Sequence, residues 1–526
     1  MAEKSRKGCL VAALVWIVIL GALMVAAKFY VLPYFRGRLE TDTGSESRYR
    51  HEIKVAADSF SGYAILRSLA MKNALSAESI KLTVLDDGAD TEKRIQALRK
   101  RDLQMAVFTV DSFLTAGAVL GQFPASIVLV LDETKGADAL IAYKSGVASI
   151  QDLDDPGARI VLTPRSPSEF LARTVIAHFS LPGLPEQWWI GKNGAHEVFK
   201  EFKTARQEEK RAYALWEPYV SKALEIPGAQ VLVDSSKIRG YIVDVLVAER
   251  TFLRDRPELV RAVVEAYLRV AHSYAQKTDG MQNLVAEDAK RTGAESLDEA
   301  QAAQLVQGIE WKNTLENYAY FGLLPPAEAG SHQHLEEVIG NITEVLLKTG
   351  ALSSDPTGGK ANALFYDQVL KDLKASNFHP GRKVDIIPGM GLDAGDVGRL
   401  RAPEVLQALT DAEWESLAPV GQMRVEPISF ARGTARINLQ GRRELDALAR
   451  HLAAWPKYYL VVVGHARAEG DATANLQLAQ ERAGAARDCL VSKGVPKERV
   501  RVKAAPPSSQ EGAAQSVSFM LGQKPY

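Results

Sequence analysis

The stretch His51-Glu52-Ile53-Lys54-Val55-Ala56-Ala57-Asp58-Ser59-Phe60-Ser61-Gly62 sets the fold class. Ile53–Ala57 is a short apolar run that suits a strand. Asp58, Ser59 and Ser61 follow it with the small oxygen-bearing side chains that open helices. The same order recurs downstream. Thr109-Val110-Asp111-Ser112 follows the strand pattern Met105–Thr109, and Thr163-Pro164-Arg165-Ser166-Pro167-Ser168 follows Arg159–Thr163. Further strand patterns lie at Lys81–Leu85, Ser126–Leu131, Leu140–Tyr143, Tyr213–Leu215 and Gln230–Val233, with helical stretches such as Asp90–Arg101, Ser168–Phe179 and Ala195–Gln207 between them. This alternation predicts an α/β domain with mostly parallel sheets over residues 51–280. Read singly, each Ser, Thr or Asp is an N-cap; together, several helix N-termini can converge on an anion.

Working outward, residues 281–375 read as a helical extension interrupted at 351–360 (ALSSDPTGGK), and 376–422 as a Pro- and Gly-bearing linker. From 423 to 526 the alternation resumes. Leu445, Leu448, Ala449 and Leu452 share one helical face, and Tyr458–Val463 suits a central strand. Asn475–Ser492 reads as a helix, followed by short strands at Val500–Lys503 and Ser516–Leu521. This is a small α/β sandwich.

Toward the N-terminus, Cys9–Ala27 is 19 residues without a charge. A spanning helix needs ~20 such residues, whereas a cleaved signal has an apolar run of only about 7–15. Residues 1–38 therefore read as a cytoplasmic tip and transmembrane anchor, with Val25-Ala26-Ala27 as the competing cleavage site. Residues 39–50 are a tether. The chain carries 64 basic and 64 acidic residues, six and one of them within residues 1–38, so the body beyond is mildly acidic. That balance argues against a nucleic-acid partner. Basic residues ahead of the span place the N-terminus in the cytoplasm and the bulk outside, in an inner-membrane, single-pass arrangement. The two cysteines, Cys9 and Cys489, allow no disulfide within a domain, and Cys489 reads as a small core residue. No P-loop, G-x-S-x-G, H-E-x-x-H or paired-cysteine pattern occurs, so no catalytic residue, metal ligand or cofactor is expected.

Residues 51–280 resemble the periplasmic solute-binding proteins of the nitrate, sulfonate, taurine and thiamine-precursor transport group. The resemblance rests on Ser61-Gly62-Tyr63, Thr109-Val110-Asp111, Leu131-Asp132-Glu133-Thr134, Gly136–Ala139, Ser149–Leu153, Leu215-Trp216-Glu217-Pro218, Asp244–Ala248 and Pro257–Val260. It implies two lobes closing on a small molecule of unknown identity, with Ser59, Ser61, Thr109, Asp132, Ser166, Ser168 and Glu217 lining the cleft. Asp132 and Glu217 oppose a simple anion unless a cation, an amino group, Arg165 or Arg173 balances them. A hinge role is the alternative for Glu217 and Pro218.

The last hundred residues resemble the OmpA-like peptidoglycan-binding domain through Phe430–Ala435, Val463-Gly464-His465, Gly470, Asn475, Leu478, Arg482-Ala483 and Lys493-Gly494-Val495. The resemblance implies a peptidoglycan site at Arg467, Asn475 and Arg482. Arg482 matches the family's arginine, but Arg467 stands where the family has aspartate. Glu469 and Asp471 are nearby acids that can substitute for it, and Asp471 or Glu481 can pair with Arg482. The whole is expected to be a membrane-anchored solute-binding or sensing protein, contacting peptidoglycan, an ABC permease or another envelope protein. The alternative is an envelope scaffold whose two-lobed domain binds a protein.

Overall fold

The computed structural model describes residues 49–277, 279–292, 297–325, 333–381, 400, 406–467, 470–508 and 517–524. The expected span Cys9–Ala27, residues 39–48 of the tether and most of 382–405 in the expected linker lie outside the described residues. Among the described residues no helix is long and apolar enough to cross a membrane. Two compact units are distinguished: residues 49–52 with Leu75–Leu82, and Ile53–Ala74 with the described residues from Thr83 onward. In the small unit, Arg50 N donates to Ser79 O at 2.8 Å and Lys81 pairs with Glu52 at 3.4 Å. The large unit holds the candidate sites.

Strands β1 (His51–Ala56), β2 (Ile80–Leu85), β3 (Met105–Thr109) and β4 (Ala125–Thr134) alternate with helices α1 (Thr91–Lys100) and α2 (Val110–Leu120). The chain then crosses to β5 (Asp138–Tyr143), β6 (Arg159–Leu162), β7 (Trp189–Gly191), β8 (Arg211–Trp216) and β9 (Ala229–Asp234), with α3 (Pro167–His178) and α4 (Ala195–Thr204). It returns through β10 (Val243–Glu249), α5 (Pro257–Ala275), β11 (Ile309–Trp311) and α6 (Leu335–Lys348). Two sheets result, ordered β11-β4-β10-β3-β1-β2 and β7-β6-β8-β5-β9. They form two lobes joined by the crossings β4–β5 and β9–β10.

The sheets are mixed, which corrects the expectation of mostly parallel pairing. β1–β3, β6–β7 and β6–β8 are parallel, but β10 is antiparallel to β3 and β4, and β5 to β8 and β9. The strands that carry the chain between lobes enter their new sheet from its opposite end. Residues 281–375 are woven into the lobes. β11 pairs with β4, setting Trp311 opposite Asp132, and α6 packs on both α2 and α3.

The C-terminal domain comprises β12 (Ala418–Gln422), α7 (Leu439–Ala453), β13 (Tyr459–Arg467), α8 (Ala472–Ser492), β14 (Val500–Ser508) and β15 (Val517–Gln523), with sheet order β12-β15-β13-β14. β12 lies inside the stretch read as linker. Its Pro419 and Gly421 look like breakers, yet an edge strand tolerates both. The buried Arg499 donates to the carbonyls of Tyr458, Leu452 and Trp455, satisfying the corner between α7 and β13.

This domain is packed against the second lobe. Ser180 N donates to Gln422 O at 2.8 Å, Arg424 N to His178 O at 2.7 Å and Arg239 N to Ala454 O at 2.9 Å. Trp455, fully buried, meets Phe179 edge-on at 5.4 Å and His178 at 5.7 Å. A side chain at Gly421 would come within 2.7 Å of the Phe179 ring, so glycine permits this approach. Burial pushes the His178 pKa down to about 3. Its Nδ1 faces the Thr174 carbonyl, so Nδ1 carries the hydrogen and Nε2 accepts from Tyr241. Trp455→Ala should cost roughly 3–5 kcal/mol, as truncating a buried aromatic does. Urea unfolding followed by protection of the 423–458 segment from protease would check it; an unchanged transition would show that the seam contributes nothing.

Candidate functional site

Both crossings are held by one buried carboxylate. Glu133, at the end of β4, accepts from Lys312 Nζ at 2.9 Å and from the Gly240 amide at 2.6 Å. Lys135 lies 3.5 Å away and Lys312 also meets Glu310 at 2.5 Å. Burial pushes the Glu133 carboxyl upward, but Lys312 and Lys135 outweigh it and hold the pKa at about 2. Glu133 is therefore a satisfied anion that ties β4 to the return segment and to the residue after β11.

One residue earlier the situation reverses. Asp132 on β4 lies opposite Asp244 on β10, and both are buried. Tyr63 donates its hydroxyl to Asp244. Neither oxygen of Asp132 meets a hydrogen-bond donor among the described residues, apart from whatever proton Asp244 itself carries. The Tyr267 hydroxyl, also buried, is likewise unpartnered. A side chain at Gly62 would fall 2.8 Å from Asp132 Oδ2, so this glycine lets the backbone approach the carboxyl. Burial, and for Asp244 the facing Asp132, push both carboxyls well above the usual range.

A cavity of about 200 Å³ lies between α1 and α2 of the first lobe and α3 of the second, with Leu346 and Ala351 beside it. Asp111, Arg165, Ser166, Glu169 and Arg173 line it. Its cations are engaged: Arg165 pairs with Glu92 at 2.7 Å and Arg173 with Glu169 at 2.6 Å. They do not balance Asp132 and Glu217, the role the sequence offered them. Asp111 has one buried oxygen without a partner, and burial raises its pKa to about 6. Asp138, at the start of β5, accepts from Ser168 at 2.5 Å. Burial, with Asp111 and Glu217 adding repulsion, raises its pKa to about 7.

The expected cleft residues divide accordingly. Asp132 and Ser168 are fully buried at the acids, and Thr109 bonds Ser112 Oγ at 2.8 Å beside Asp111. Ser166 caps α3, accepting from Glu169 N at 3.2 Å. Glu217 accepts from Ser221 at 2.9 Å and from Gln304 at 3.1 Å, which supports its structural alternative. Ser59 is exposed and Ser61 opens a short helical turn, its carbonyl accepting from Ala64 N, so neither joins the acid cluster. Asp111, Asp138, Asp244, Tyr63 and Tyr267 were not among the expected site residues. The available signal was position: each of these acids sits beside a strand end at a crossing or a helix start.

In the C-terminal domain, the Arg482 guanidinium lies 5.2 Å from the Phe430 ring, and its Nε donates to Thr434 O at 3.0 Å. Asp471 caps α8, accepting from Thr473 N at 2.9 Å and Ala474 N at 3.1 Å, and Glu481 accepts from Gln477 at 3.0 Å. These replace the pairing of either acid with Arg482 offered above. Asn475 sits in the first turn of α8, its backbone N donating to Asp471 O at 2.9 Å. Arg467 closes β13; its side chain, and all of Glu469, lie outside the described residues. Cys489 is partly buried, not a full core residue. Among the described residues no group of three His, Cys, Asp or Glu is placed to hold a metal.

Residues 429–516 match the OmpA family. The peptidoglycan-associated lipoproteins of Rhizobium meliloti and Brucella melitensis are 40% and 38% identical over 74 residues, 14% of this chain and 42% and 44% of those proteins. The chain thus spans less than half the length of these curated relatives. Among solved structures, the aliphatic sulphonate binding protein SsuA of Escherichia coli covers 61% of this chain and 99% of its own at 13% identity, with a TM-score of 0.44. The ligand-binding component of an ABC-type import system of Staphylococcus aureus covers 61% and 99% at 11% identity and a TM-score of 0.44. The desulfurization enzyme DSZB covers 61% and 98% at 13% identity and a TM-score of 0.39.

Asp132 keeps in the fold a proton that the unfolded chain loses near its ordinary pKa of ~3.9. Stability therefore falls as pH rises from that value through the raised folded pKa. Asparagine cannot ionise and removes this loss. The Tm gain of Asp132→Asn over wild type should grow between about pH 5 and about pH 8; a gain independent of pH would show that Asp132 is already ionised in the fold.

Proposed function

We propose that the chain is an inner-membrane-anchored periplasmic protein that captures a small ligand between its two lobes and contacts the cell wall through its C-terminal domain. The carrying observation is the cavity between α1, α2 and α3, at the junction of two sheets that the chain joins by two crossings. The uncharged stretch Cys9–Ala27 supports the anchor. The OmpA match supports wall contact, since its relatives are named for peptidoglycan association. An ABC permease or another envelope protein is the membrane partner that such an anchor would meet. Tethering raises the effective concentration of the binding domain at the bilayer, which serves delivery and sensing alike. No catalytic role is assigned to the acids.

The test uses the full chain in detergent. Thermal shift against small anions, amines and vitamins should find at least one stabilising compound; none would return the scaffold reading. Co-sedimentation with purified peptidoglycan should weaken in Arg482→Ala and strengthen in Arg467→Asp. Binding that ignores both substitutions would place wall contact elsewhere.

A further inference from the structure

We propose that Asp132 and Asp244 form the subsite for a protonated amine, so that the molecule captured between the lobes is a small organic cation. This rests on the ligand-capture reading above and names its ligand class. A buried carboxylate is costly unless paired or hydrogen-bonded, and a buried unsatisfied group calls for an occupant. Apart from a proton shared with Asp244, Asp132 meets no donor among the described residues, and the Tyr267 hydroxyl beside the pair is unpartnered there as well. Two opposed carboxyls solve this either by sharing a proton or by holding a cation between them.

Among the described residues the surrounding cations are already committed. Asp132 and Asp244 are faced by Tyr63 and Asp58 from the segment after β1, by Glu133 on β4, by Tyr267 on α5 and by Lys312 after β11. Lys312 is committed to Glu133 and Glu310. Arg94 is committed to Asp58 and Asp87, and Arg67 to Asp288. At the cavity, Arg165 and Arg173 are each matched by a glutamate, leaving Asp111 uncompensated. The uncompensated charge at both places is negative. A ligand ammonium brings the charge and the three donors that Asp132 lacks, whereas an anion would add repulsion. The pair is shut from solvent, so an amine reaches it only through an opening of the structure around β4 and β10.

Isothermal titration of the full chain in detergent and potassium buffer tests this, with putrescine, agmatine and choline against nitrate and methanesulfonate. Potassium keeps any bare monovalent-cation site occupied throughout. At least one amine should bind. Because it displaces the shared proton, its affinity should rise by up to about tenfold per pH unit below the folded pKa of the pair, with proton release seen across buffers of different ionisation enthalpy. Aliphatic amines stay charged over that range, with pKa values near ~10.4. Asp132→Asn should weaken binding by at least about tenfold and flatten the pH dependence; Asp244→Asn is the second variant should the first not fold. Anion binding without amine binding would overturn the proposal while leaving ligand capture standing. Amine binding that neither variant alters would also overturn it. Binding of no compound would remove the capture reading and this one together.

Discussion

The buried Glu133 carboxylate is the constraint on which the two-lobed arrangement turns. It stands at the last residues of β4, where the chain leaves the first lobe, and it accepts from Gly240, where the chain returns. Lys312, from the residue after the edge strand β11, completes the knot. Such a pair contributes little beyond a well-packed apolar substitute, but removing one partner strands a charge in the interior. Its effect is therefore geometric. It fixes the two crossings and the edge strand against one another, and so fixes what stands on either side of them.

What stands beside the knot is a set of acids in the opposite electrostatic condition. Glu133 is held low by lysines, whereas its neighbour Asp132 is pushed high by burial and faces another carboxyl. Alternation along β4 sends the two side chains to opposite faces. One face therefore carries a structural ion pair and the other an unsatisfied acid pair. Asp138, at the far end of the first crossing, repeats the condition with Ser168 as its donor. Perturbed carboxyls gathered at a hinge are the pattern expected of a binding site, while structural networks usually match each acid to a cation, as at Glu133.

Much of the framework was legible because it is local. The runs at Met105–Thr109, Arg159–Thr163 and Gln230–Val233 announce themselves by composition, and the observed strands fall within a residue or so of them. β10 escaped, although its seven residues are all buried, because Asp244 and Glu249 confine its apolar run to Val245–Ala248. Asp132 entered the expected cleft only through the family resemblance of Leu131-Asp132-Glu133-Thr134. Its partner was not legible, because the pairing of Asp132 with Asp244 is set by antiparallel register between distant strands. The fate of Arg173 was half readable, since Glu169 lies four residues before it on one helix face. Arg165 pairs across the lobes with Glu92, which no local spacing encodes.

The seam between the second lobe and the C-terminal domain gives the two halves of the chain a common mechanical frame. Length and composition suggested modules joined by a linker, yet β12 emerges from that linker already bonded to the segment after α3. His178 sits at the meeting point, packed edge-on against His451 and Trp455 and bonded to Tyr241 on the return crossing. His451 in turn pairs with Glu344 of α6 at 3.3 Å, and α6 packs on helices of both lobes. Neutral, buried and fully hydrogen-bonded, His178 serves packing here and not charge. The contacts of the C-terminal domain therefore fall on three elements: the end of α3, the return segment at Arg239–Tyr241, and α6. The C-terminal domain is thereby joined to the second lobe directly and to the first through α6.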